Sequence, residues 1–266
     1  MLRVTGEHTE KDVTERGFEL EVAGDRVPGV LWTPAGASGP RPLVLMGHGG
    51  SQHKRVDTLL ARARHYVRAL GFAVAAIDAP DHGDRVTPEQ AAAFARNVRE
   101  RIAQRRRMGG EAVRQMAERA RKAVPEWRAT LDALQELDVV GADGPVGYWG
   151  VSMGTAIGVP FVAAEPRITA AVFGLAGLHP ESTTMAEAAR RITVPVEFVF
   201  QWDDELADRE AGLALFDALG STEKTMHVNP GGHLGIPPFE RDSWERFFTR
   251  HLTGSGVVRT VGATSG

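Results

Sequence analysis

The feature that most constrains this chain is a set of short, uninterrupted apolar runs, several of them ending in glycine or small polar residues. Residues 43–46 run into Gly47-His48-Gly49-Gly50, residues 72–77 into Asp78-Ala79-Pro80, and residues 146–149 into Gly150. Mostly apolar stretches at 168–175 and 194–200 follow, with a shorter strand candidate at 226–228. A strand that is apolar at every position has no face for water, so a sheet built from such strands must be covered on both sides. Helical stretches separate the runs, at 57–70, 126–137, 155–164, 209–219 and 243–252. That alternation predicts an α/β fold with a mostly parallel central sheet and helices on both faces. Upstream, residues 18–22 and 30–32 alternate apolar and polar around Ala23-Gly24-Asp25, which predicts an antiparallel hairpin. Residues 34–42 are rich in Gly and Pro and read as a loop.

One segment exceeds the minimal rhythm. Residues 88–124, within an insertion taken as about 86–124, are helical in pattern and broken at Gly109-Gly110. Between Arg96 and Lys122 lie ten Lys/Arg and three Glu. Such a run reads first as a solvated helical face. The alternative is a helical cap over an active site, with arginines that attract an anionic substrate. Residues 1–266 are expected to form a single domain. Residues 253–266 are rich in Gly, Ser and Thr and are expected to be a loose tail.

The net charge of −3 gives no basic field that would draw nucleic acid, and no aromatic-plus-basic stripe is present. The absence of cysteine excludes disulfides, thiolate metal sites and a Cys nucleophile. No P-loop, dinucleotide fingerprint or H-E-x-x-H spacing occurs, so neither cofactor nor metal is expected. The polar N-terminus and the lack of a spanning apolar run lead to the expectation of a cytoplasmic protein with no membrane partner. A homodimer is left open.

The chemistry centres on Gly150-Val151-Ser152-Met153-Gly154. An apolar strand precedes it and an Ala/Gly-rich helical stretch follows. A sharp strand-to-helix turn there lifts the serine oxygen clear of the backbone, with helix N-terminal N–H groups beside it. A serine hydroxyl needs a base to take its proton, and with such an elbow the order along the chain is Ser, acid, His. His233, in Asn229-Pro230-Gly231-Gly232-His233, is the expected base; His227 and His251 are worse placed. The acid follows the run at 194–200, where Asp203, Asp204 and Glu205 are adjacent and Asp204 is preferred. The N–H groups of Met153 and Gly50 are the expected oxyanion donors. His48 is read as holding its loop rather than as a catalyst. Gly49, Ser51, Trp202, His179 and Leu234 are expected to bind substrate.

In this order, His48-Gly49-Gly50, the Gly150–Gly154 motif, Asp204 and Gly232-His233 resemble the α/β-hydrolases, most closely the esterase and dienelactone-hydrolase-like branch. Asp78-Ala79-Pro80-Asp81-His82-Gly83 resembles their D-x-P-G-H-G loop. The resemblance spans about 18–252. It implies about eight strands, a site at the strand C-terminal ends, and hydrolysis of a small-molecule carboxylic ester through an acyl-enzyme. Thioester, amide or C–C cleavage, perhydrolysis, and a ligand-binding member without turnover remain alternatives. Asp81 departs from the pattern by replacing Gly. The helical insertion stands before the nucleophile strand, and the usual lid position between the strands at 168–175 and 194–200 is nearly empty. Dienelactone hydrolases proper often use Cys at the elbow, so Ser152 argues against that activity.

Overall fold

The computed structural model describes residues 2–254. They form a nine-stranded sheet in the order β1-β2-β3-β5-β4-β6-β7-β8-β9. The antiparallel part is β1 (Arg3–Glu10), β2 (Val13–Val22) and β3 (Asp25–Pro34), with β3 pairing antiparallel to β5. The parallel part is β4 (Leu43–Gly47), β5 (Ala73–Ile77), β6 (Val146–Gly150), β7 (Ile168–Gly174), β8 (Val196–Gln201) and β9 (Lys224–Asn229). Strands β4, β5, β6 and β8 are buried at every residue, as a sheet covered on both faces demands, although β8 carries Glu197 and Gln201 among its apolar residues.

The expected hairpin is present as β2 and β3. Its turn at Ala23-Gly24 has φ of 52° and 88°, the paired positive values that match the twist of the flanking strands. The sheet has nine strands where about eight were expected; the additional strand is β1, for which no element was expected. Its eight residues are all exposed, so no buried face writes a pattern into the sequence. A second positive-φ pair, Lys11 and Asp12, turns it onto β2. Its charged side chains suit an edge strand.

Helices cover both faces. Helices α1 (Asp57–Leu70) and α7 (Glu240–Leu252) pack on one face, around Trp32, Tyr66, Trp149 and Trp244. Helices α3 (Gly110–Gln135), α4 (Met153–Ala164), α5 (Thr183–Arg191) and α6 (Arg209–Ala218) cover the other, around Trp127, Tyr148, Phe161 and Phe173. Tyr148 and Trp149 are neighbours on β6 and anchor opposite cores, as strand alternation requires.

The insertion is α2 (Pro88–Ala103) followed by the first half of α3. Thr87 caps α2 with a reciprocal bond to Gln90. The expected helix at 126–137 is not separate: α3 runs through Pro125 without a break. Proline removes one hydrogen bond and reads as a boundary, but the packing of Ala120, Ala123, Trp127 and Leu131 carries the helix past it. Arg85 clamps this region to the body through two bonds to buried Glu126, of 2.7 and 2.8 Å. Helix α5 was not expected; it is short and amphipathic. Of the expected tail, Thr253 and Gly254 are described, and 255–266 lie outside the described residues.

Trp127 stacks on Phe161 at 5.8 Å and meets Tyr148 edge-on at 6.0 Å, joining α3 to the sheet. Trp127→Ala is expected to cost about 3–5 kcal/mol, read as a lower urea midpoint with an unchanged slope.

Candidate active site

Ser152 sits between the end of β6 and the start of α4 with φ 57° and ψ −119°, a conformation that L residues rarely adopt. The two motif glycines are there because a side chain has no room. A Cβ on Gly150 would lie 2.7 Å from the Gly154 carbonyl oxygen, and one on Gly154 would lie 2.6 Å from that of Gly47. The strained turn is pinned from behind. The Ser152 N–H donates to the Gly174 carbonyl at 2.8 Å, and the Thr155 hydroxyl bridges β6 and β7, accepting the Gly174 N–H and lying 2.6–2.9 Å from the Gly174 and Gly150 carbonyls.

His233 reaches this serine from the loop after β9. Its Nε2 is 3.0 Å from Ser152 Oγ, and its Nδ1 is 2.8 and 2.9 Å from the two oxygens of Asp204. Asp204 is fully buried in its side chain and also accepts the N–H groups of Leu206 and Ala207. Asp203 points away, to Arg209 at 3.3 Å and to the Gly231 N–H. The preferred acid is therefore the one brought to the histidine. Glu205 has a different task that its sequence position did not reveal. Its carboxylate accepts the backbone N–H of His233 at 2.8 Å, and a Cβ on Gly232 would strike it. His227 and His251 are held elsewhere, by Glu240 and Glu223.

The loop after β4 lies across from the elbow. The N–H of Gly49 is taken by the Gln52 side chain at 3.0 Å, whereas that of Gly50 has no partner among the described residues. Met153 opens α4, where the first N–H groups have no carbonyl within the helix. His48 braces the loop: its Nδ1–H donates to the Gly49 carbonyl, and its Nε2 accepts the Ala79 N–H. Below it Lys54, almost wholly buried, binds Asp78 at 2.6 Å and Asp84 at 2.5 Å. Asp81, standing where glycine was expected, takes φ 63°, the left-handed conformation glycine would adopt freely.

These groups open into one cleft of about 2070 Å³, lined by Ser152, His233, Gly49, Gly50, Ser51 and Met153. His179 and Leu234 also line it. Trp202 does not: it is half exposed outside the cleft under the Arg209 guanidinium, 4.3 Å from the ring centre, and its backbone N–H donates to the Asn229 carbonyl at 2.7 Å. Phe94, Val98, Val113 and Met116 from α2 and α3, and Met185 from α5, complete the apolar wall. The only cluster of histidine and carboxylates close enough to share a cation, among the described residues, is Glu197, His227 and Glu240, outside this cleft.

A serine on a strained strand-to-helix turn is thus bonded to a histidine that is bonded to a buried aspartate, the arrangement a Ser-His-Asp triad requires. No family model and no curated protein matches the chain. Among solved structures it is similar to a cold-adapted esterase from an Arctic intertidal metagenomic library, in its PEG-bound complex, with 37% identity over 93% of this chain and 98% of that one, at a TM-score of 0.75. The acetyl xylan esterase of Paenibacillus sp. R4 (16% identity, 95% and 88% covered, TM-score 0.69) and the dienelactone hydrolase of Anabaena variabilis (18%, 91% and 99%, 0.60) share the fold. The chain belongs to the α/β-hydrolase superfamily, as an esterase-like member. Among the described residues no helix is long and apolar enough to cross a membrane.

Burial holds the His48 imidazole neutral, its pKa pushed down from 6.5 to about 4, and His82 beside it is also lowered by burial. Between those two values of His48 the unfolded chain binds a proton that the folded protein does not. Its contribution is therefore complete above about pH 6.5 and is lost as pH falls toward 4. The melting temperature is expected to fall across that window, and His48→Asn is expected to flatten the slope.

Proposed function

We propose that the protein hydrolyses small carboxylic esters through an acyl-enzyme on Ser152. The observation that carries this reading is the continuous chain of contacts from Ser152 Oγ to His233 Nε2, and from His233 Nδ1 to buried Asp204. His233 takes the hydroxyl proton as Ser152 attacks the ester carbonyl, and Asp204 stabilises the resulting imidazolium and fixes its tautomer. The N–H groups of Gly50 and Met153 receive the oxyanion, oriented in advance by the His48–Gly49–Gln52 bonds. His233 then protonates the leaving alcohol. Water, activated by the same base, attacks the acyl-enzyme and releases the acid.

Helix α2 and the first half of α3 act as a cap over the cleft. Their apolar residues, together with Met153 and Leu234, favour an acyl or aromatic ester of modest size.

Ser152→Ala is expected to lower kcat by about a thousandfold or more while leaving the circular dichroism spectrum unchanged. Across matched oxygen-ester, thioester and amide substrates, kcat/KM is expected to be highest for the oxygen ester. Turnover near the wild-type rate in Ser152→Ala contradicts the assignment of the nucleophile. A preference for thioester or amide reassigns the bond cleaved.

A further inference from the structure

Strand β8 contains one residue that its surroundings do not explain. Val196-Glu197-Phe198-Val199-Phe200 is buried throughout, and Glu197 is the single ionisable side chain in it. The residue is 4% exposed, and its Oε1 has no hydrogen-bond partner. A buried carboxylate oxygen without a donor is costly and calls for an explanation.

That oxygen faces two groups from other elements. His227 on β9 has its Nδ1 at 3.7 Å, and Glu240, the first residue of α7, has Oε2 at 2.8 Å from the same nitrogen. Glu240 is 1% exposed. One ligand atom from each of Glu197, His227 and Glu240 lies within 4.8 Å of the other two. Two buried carboxylates thus converge on one imidazole. The other groups facing Glu197 are Ser243 and Arg246, and burial raises its carboxyl above the ordinary value. We propose that Glu197, His227 and Glu240 form a binding site for a divalent transition-metal cation of the zinc type, separate from the Ser152 cleft.

One imidazole nitrogen and two carboxylate oxygens are a ligand set that suits zinc, with bonds of about 2.0–2.2 Å and a fourth position left for water. Ligand atoms around a tetrahedral zinc lie about 3.4 Å apart, so on binding the 2.8 Å His227–Glu240 contact opens and the 3.7 Å His227–Glu197 separation closes slightly. His227 is the ligand able to move, with its side chain 34% exposed, and it also gives the ion a way in from solvent. Glu240 is already oriented: its second oxygen accepts from Asn229 Nδ2 at 2.8 Å, the kind of outer contact that fixes a metal-binding carboxylate. The cation would replace the His227–Glu240 hydrogen bond and give Glu197 Oε1 its missing partner.

The position gives the site a consequence. His227 and Asn229 end β9 and Glu240 begins α7, so the cluster joins the two ends of the 230–239 loop that carries His233. Metal binding there would brace that loop without touching the cleft.

The test is calorimetric titration of the metal-stripped full chain with zinc chloride, alongside Glu197→Gln, His227→Gln and His233→Ala. The expected result is one zinc per chain and a raised melting temperature, with affinity weakened about tenfold or more in the first two variants and retained in the third. Absence of saturable binding overturns the proposal. So does binding that Glu197→Gln and His227→Gln leave unchanged, or that His233→Ala abolishes, since the ion would then sit elsewhere or on the catalytic histidine. Should Glu197→Gln fail to fold, His227→Gln, at the half-exposed position, decides.

Discussion

The site depends on one strained residue. Ser152 is held at a positive φ, and every neighbour that tolerates this does so because it is small or because it bonds the turn from behind. Gly150 and Gly154 leave the backbone of α4 pressed against β4 with no space for a Cβ. The Tyr148 hydroxyl donates to the Gly154 carbonyl from within the core, and Thr155 ties the turn to β7. Burial of the Tyr148 phenol keeps it a neutral donor. The strain is thus anchored in the most rigid part of the sheet. This lets the serine oxygen stand free where the N–H groups of α4 begin.

The histidine is positioned by a different logic. It sits on a loop, so its place is set by what grips that loop. Glu205 takes the His233 N–H, Gln201 reaches the carbonyls of Pro230 and Gly232, and Glu240 binds both His227 and Asn229 where the loop leaves β9. Asp204 and Glu205 are consecutive carboxylates with divided tasks. One orients the imidazole ring, and the other orients the backbone that carries it.

The buried parts of this arrangement were legible in the sequence, and the exposed or long-range parts were not. Strands β4, β5 and β6 announce themselves because continuous apolarity has few other meanings, and β7 and β8 because they are apolar at most positions. The elbow shows because Gly-x-Ser-x-Gly follows such a strand. Strand β1 left no trace, because an edge strand with every residue exposed has no apolar face. Helix α3 was read as ending before Pro125 because local preference argues for a boundary there, and tertiary packing overrode it. Trp202, two residues before Asp204, was expected to bind substrate, but no sequence pattern records which way its ring points. Arg209 sits over its outward face. Glu205 and the Glu197–His227–Glu240 cluster depend on contacts between residues up to 43 positions apart by sequence number, which no local pattern records.

Whether Ser152 is an activated nucleophile is decided by labelling with a fluorophosphonate. The protein is treated with the probe, digested, and the modified peptide mapped, in wild type and in Ser152→Ala. A single adduct on Ser152, lost in the variant, is expected. A well-folded wild-type protein that takes no label, or one labelled equally in the variant, would contradict that role for Ser152.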